Sequence, residues 1–78
     1  MKAAAFRKML KGQPFAPFLV KTTDGDTFRV PHPDFAMVSP VGTEVIVYDE
    51  DGHFRIVAMS HIVSLEPVRN GSRKPGKR

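Results

Sequence analysis

The sequence predicts a mainly β fold, in which a short N-terminal helix precedes a five-stranded antiparallel meander curled into a small, strongly bent barrel. Two observations carry most of that expectation. Thr23-Asp24-Gly25 and Glu50-Asp51-Gly52 repeat one turn signal, and alternating apolar runs flank each copy. A helical period occurs before Gly12, after which proline and glycine punctuate short runs of strand length.

Residues 2 to 11 place Ala3, Phe6, Met9 and Leu10 on one helical arc and Arg7, Lys8 and Lys11 on another. Gly12 and Pro14 stop the helix. A helix this short is marginal alone in water, so Phe6, Met9 and Leu10 are expected to dock on the sheet while the cations stay in solvent. Gln13 to Pro17 should run extended, because each proline biases the preceding residue away from helix, with Phe15 plugging the core.

The hairpin registers follow from their side chains. A three-residue loop closed by Gly25 pairs Val20 with Phe28 and Phe18 with Val30 on one face, leaving Lys21 opposite Thr27 and Leu19 opposite Arg29 on the other. A two-residue loop would set Arg29 against Val20, and a one-residue slip of this kind sends side chains to the wrong face. The second loop likewise sets Tyr48 against Phe54, Ile46 against Ile56 and Asp49 against His53. Cross-strand pairs of this type contribute roughly 0.2 to 1 kcal/mol each. Both glycines are then expected at positive φ, where a Cβ is costly.

The first strand is thus expected at about Phe18 to Thr22 and the second at about Asp26 to Val30, ended by Pro31 and Pro33, which cannot donate to a ladder. Phe35 to Val38 reads either as one helical turn capped by Asp34 or as a short strand, before Ser39-Pro40-Val41-Gly42 turns the chain. Glu44 to Asp49 and His53 to about Met59 form the second hairpin. Val45, Val47 and Val57 alternate there with Ile46, Tyr48 and Ile56, which predicts a central element covered on both faces. A break at Ser60-His61 leads into a last strand, Ile62 to Glu66, before Pro67.

At 78 residues the chain fits one small domain, residues 1–67, followed by a basic tail, residues 68–78, expected to be disordered. Fewer than about seventy residues make a marginal core, so self-association is expected. No cysteine is present, and only four apolar residues separate Lys2 from Arg7, too few for a signal peptide or a membrane span. A soluble, cytoplasmic protein is expected. The net charge of +4 hides a partition: residues 1 to 11 carry +4, residues 69 to 78 carry +5, and the body between them holds three cations against all eight acids.

Catalytic chemistry finds no assembly in the sequence. No serine has a nucleophile-elbow context, and His32, His53 and His61 lack the spacing that puts two imidazoles on one helix face. His32 and Asp34 with a hairpin carboxylate would be the nearest approach to a metal site, but three or four converging ligands at a recognised spacing are missing. The hairpin acids fit turn chemistry and lack the alternation of a calcium loop. No cofactor motif is present, and no enzyme is expected.

Pro14-Phe15-Ala16-Pro17-Phe18, Asp24-Gly25, Phe28-x-Val30-Pro31-His32-Pro33-Asp34-Phe35, Val45-x-Val47-Tyr48-Asp49-x-Asp51-Gly52 and Leu65-Glu66 together resemble a group of short uncharacterised bacterial proteins, over about residues 6 to 66. The resemblance implies a bacterial origin and carries no functional residue with it. More loosely, the helix and bent meander are similar to SH3-like barrels and to the Sm and Sm-like RNA-binding proteins, although His32-Pro33-Asp34-Phe35 stands where that second family has its RNA-contacting Asp-x-x-x-Asn stretch. The functional expectation is a non-enzymatic interaction module, presenting His32, Asp34 and Phe35 to another protein or to its own copy. The alternative is non-specific RNA or DNA binding through Arg7, Lys8 and Lys11 of the helix with Arg69, Arg73, Lys74, Lys77 and Arg78 of the tail.

Overall fold

A computed structural model describes residues 1–68. The order of elements is α1 (Ala3–Leu10), β1 (Phe18–Thr22), β2 (Thr27–Val30), a 3₁₀ turn at Pro33–Phe35, β3 (Ala36–Val38), β4 (Glu44–Tyr48), β5 (Phe54–Ala58), a second 3₁₀ turn at Met59–His61, and β6 (Ile62–Pro67). The fold is mainly β with one short helix, and the strands form two three-stranded antiparallel sheets in the orders β2-β1-β6 and β3-β4-β5.

Two features correct the expected five-stranded barrel. The ambiguous segment after His32 resolves into both alternatives at once, the 3₁₀ turn and then β3, which makes six strands. Asp34 does not cap that turn: the Phe35 N–H donates to the His32 carbonyl at 3.0 Å, with no side-chain cap. The sheets also do not close, since Pro31 and Pro33 interrupt the ladder between β2 and β3, and the Met59–His61 turn interrupts it between β5 and β6.

Both hairpins adopt the three-residue loops. Thr22 N–H donates to Asp26 O at 3.0 Å and Asp49 N–H to His53 O at 2.9 Å, while Gly25 and Gly52 sit at φ 88° and 90°. The pairs Phe18↔Val30, Val20↔Phe28, Ile46↔Ile56 and Tyr48↔Phe54 all form. Strand β2 begins one residue later than expected, at Thr27.

The core lies between the inner faces of the sheets and under α1. Phe6, Phe18, Val20, Val30 and Val45 are fully buried, with Val47, Val57, Met59 and Ile62 around them. The Phe6 ring meets Phe18 edge-on, centroids 5.6 Å apart, which docks the helix through one residue. Met9 and Leu10 are half-buried at its margin, less than expected, and Phe15 is half-buried against Phe18. Arg7 does not stay in water: its Nη2 donates to the Ser39 carbonyl at 2.9 Å, tying α1 to the β3–β4 turn. Gly42 completes that joint. It sits at φ 79°, and a Cβ there would lie 2.9 Å from Ala3 Cβ.

The second hairpin differs most from expectation. Val45, Val47 and Val57 are buried, but Phe54 and Ile56 on the opposite face are 59% and 65% exposed, and β5 is a sheet edge. Alternating apolar residues here mark an uncovered face, because the helix that was to cover the sheet packs at β3 and the β3–β4 turn.

Candidate functional site

The open side of the molecule is a groove of about 420 Å³ between β2 with the Pro33–Phe35 turn and the far end of the β4–β5 hairpin. Local sequence rules build each wall. Prolines 31 and 33 turn the chain out of the first sheet and lay Pro31 and Phe35 along one side. The Glu50-Asp51-Gly52 loop brings Tyr48 and Phe54 together, ring centroids 5.9 Å apart, on the other. Phe28 and buried Val47 contribute between them.

Arg55 crosses the mouth of the groove. Its guanidinium lies 4.7 Å from the centroid of Phe28 and donates to Asp26 Oδ2 at 3.1 Å, joining β5 to the first hairpin. Both partners of that ion pair are about half exposed, so it contributes roughly 0.2 to 1 kcal/mol, with about as much again from the ring. With Arg55 paired, the remaining charges along the groove are Asp49 and Glu50 at the hairpin end and Arg29 on the β2 side, all exposed.

Of the interaction residues expected from sequence, Phe35 lines the groove, and His32 stacks beside it with ring centroids 5.7 Å apart, itself exposed. Asp34 is exposed on the same turn. Sequence reasoning missed Phe28, Tyr48, Phe54 and Arg55 as lining residues, having assigned the three aromatics to register and Arg55 only to the charge balance of the body. Their signal was present in the aromatic composition of the two hairpins but not in any one motif.

The expected cationic surface is only partly assembled. Lys8 and Lys11 are exposed, whereas Arg7 is engaged with the Ser39 carbonyl. Arg69, Arg73, Lys74, Lys77 and Arg78 lie outside the described residues. Of the expected tail, Val68 alone is described, and its N–H donates to the Pro17 carbonyl at 3.0 Å.

Other polar clusters serve the turns. Asp49 Oδ1 accepts from the Asp51 and His53 N–H groups, each at 2.9 Å, so the carboxylates and imidazole gathered at that loop are organised by Asx-type bonding. Ser39 Oγ accepts from the Thr43 and Glu44 N–H groups. Asp24 receives the Thr22 hydroxyl, which holds its carboxyl below the ordinary carboxylate range. No helix among the described residues is long and apolar enough to cross a membrane.

No protein-family model, curated protein or solved structure matches this chain.

Proposed function

We propose that this protein is a non-enzymatic interaction module whose groove receives an extended segment of another protein. The observation that carries this reading is the groove itself, a concave space of about 420 Å³ lined by Phe28, Pro31, Phe35, Tyr48 and Phe54. Aromatic side chains supply large contact areas at low conformational cost, and they dominate binding energy where they line a concave surface. The charge beside them favours one kind of segment. Arg55 is neutralised by Asp26, and the lining keeps Asp49 and Glu50 at the hairpin end and Arg29 on the β2 side, so an apolar residue should carry Lys or Arg toward the hairpin end and an acid toward Arg29.

The test is selection of peptides from a random library against the full chain, followed by titration of the selected peptides into the ¹⁵N-labelled protein. Selected sequences should combine an aromatic or branched residue with a neighbouring cation and should shift the amides of Phe28, Phe35, Tyr48 and Phe54. Tyr48→Ala should weaken binding about tenfold, the effect of a hot-spot aromatic, while Val63→Ala on β6 should not. Failure to select any peptide, or shifts confined to another face, would exclude the groove.

A further inference from the structure

We infer that two copies of this chain pair through the free edge of β5, antiparallel about a two-fold axis at Ile56, to form one continuous six-stranded sheet. Phe54 and Arg55 belong both to this strand and to the groove, but the pairing runs through the main chain and does not depend on what the groove binds. Four strands end a sheet, and three carry recognised protection against edge pairing. Strand β3 has three residues and α1 packs beside it. Strand β2 has four, carries exposed Arg29 and stops at Pro31. Strand β6 ends in Pro67, and its Glu66 is paired with Lys21 of the neighbouring strand. Strand β5, Phe54-Arg55-Ile56-Val57-Ala58, has no proline, and its one charge is drawn back to Asp26.

The ladder fixes which main-chain groups are free. Hydrogen-bonded and non-bonded pairs alternate along an antiparallel ladder. The bonds from Asp49 N–H to His53 O and from Met59 N–H to Thr43 O turn His53, Arg55, Val57 and Met59 toward β4. Phe54, Ile56 and Ala58 therefore point their N–H and C=O groups away from the sheet, and a cleft of about 350 Å³ separates Ile56 to Ala58 from Thr22, Thr23, Asp24 and His61.

This edge is complementary to itself. Antiparallel pairing centred on Ile56 sets Ile56 against Ile56 of the second copy and Phe54 against its Ala58, giving about six main-chain hydrogen bonds. Arg55 then falls opposite Val57 of the second copy, so no like charges meet. The outward face gains as well. Met37, Ile46 and Ile56 form one cross-strand row, with Met37 and Ile56 more than half exposed, and the two-fold axis joins that row to its copy. A foreign strand would satisfy the same hydrogen bonds, but the symmetric register is the one in which the sequence of β5 itself supplies both side-chain partners.

The experiment is sedimentation velocity of the full chain across concentrations, with charge-swapped variants at the axis. The wild type should show a monomer–dimer equilibrium. Ile56→Lys should weaken it at least about tenfold by placing like charges opposite each other, and Ile56→Glu should do the same. Mixing the two variants should restore dimer, a rescue that general surface stickiness does not give. Met37→Lys, two strands from the axis, should leave dimerisation within about twofold. A wild-type chain that stays monomeric at about 1 mM, where an interaction of about 4 kcal/mol would be half-saturated, overturns the proposal. Loss of dimer in Met37→Lys equal to that in Ile56→Lys would also overturn it, since that result means stacking of outer faces. Either failure leaves the groove untouched, because the readout is oligomeric state and not peptide binding.

Discussion

The two hairpins are built alike and finish differently. Each has a three-residue loop, a glycine near φ 90° and an apolar inner face. Yet the outer face of the β2-β1-β6 sheet is polar, with Leu19 between Arg29 and Glu66 and with Lys21 Nζ 3.4 Å from Glu66, whereas the outer face of β3-β4-β5 is apolar. Local rules of register thus build one hairpin twice, and the second face decides what each is for. The first hairpin keeps its solvent face wet; the second leaves Tyr48, Phe54 and Ile56 available for contact.

The largest test of this comparison is truncation of one aromatic from each hairpin. Phe18→Ala should cost about 3 to 5 kcal/mol, because Phe18 is fully buried against Phe6 and a cavity is left behind. That is comparable with the whole stability of a chain this size. Phe54→Ala should cost about 1 kcal/mol or less, since 59% of the residue is already in water. Urea denaturation at low protein concentration measures both, and equal losses would mean that the outer face of the second hairpin is covered within the monomer.

Glycine substitutions separate the loops from the helix joint. Gly42→Ala should destabilise by about 2 to 3 kcal/mol, adding overpacking against Ala3 to the cost of a left-handed backbone. Gly25→Ala and Gly52→Ala should each cost about 1 kcal/mol and match one another, because both loops have positive φ and open space where the Cβ would go. A clear inequality between those two would show that the loops are not equivalent.

These positions also show what sequence could and could not reveal. The registers, Gly25 and Gly52 were legible because they depend on residues within about ten positions of one another, where alternation and turn chemistry act directly. The uncovered face of β4 and β5 was not, because alternating apolar residues report that a strand has two apolar sides and say nothing of what covers them. Gly42 read only as part of a turn, since its constraint comes from Ala3, far away in the chain. Arg7 read as a free cation for the same reason, its acceptor being the Ser39 carbonyl. Of the groove, Phe35 was legible through the prolines beside it, whereas His32 and Asp34 are not among the lining residues. The wall formed by Phe28, Tyr48, Phe54 and Arg55 needed the two hairpins to meet.

The smallest expected effect distinguishes the two loops by acid. In the first hairpin a hydroxyl precedes a carboxylate, Thr22 donating to Asp24; in the second a carboxylate precedes the loop and accepts from the main chain, Asp49 from the Asp51 and His53 N–H groups. The Thr22 hydroxyl favours the ionised Asp24, so the folded pKa lies below the ordinary value of 3.8. A group depressed in this way contributes stability that is fully present above its unfolded pKa and is lost as pH falls through the folded one. Asp24→Asn should therefore be less stable than the wild type at neutral pH, and the gap should close as the pH drops to and below 3.8. Because Asp24 is fully exposed, solvent screens the interaction, and the gap should be smaller than the loss in Gly25→Ala. Thr22→Val should flatten the same acid limb, although burial of Thr22 adds a packing change that does not depend on pH. Chemical denaturation midpoints at pH 7 and in the acid range decide the matter. A gap between wild type and Asp24→Asn that stays constant across that range would mean that the hydroxyl contact does not distinguish the first loop from the second.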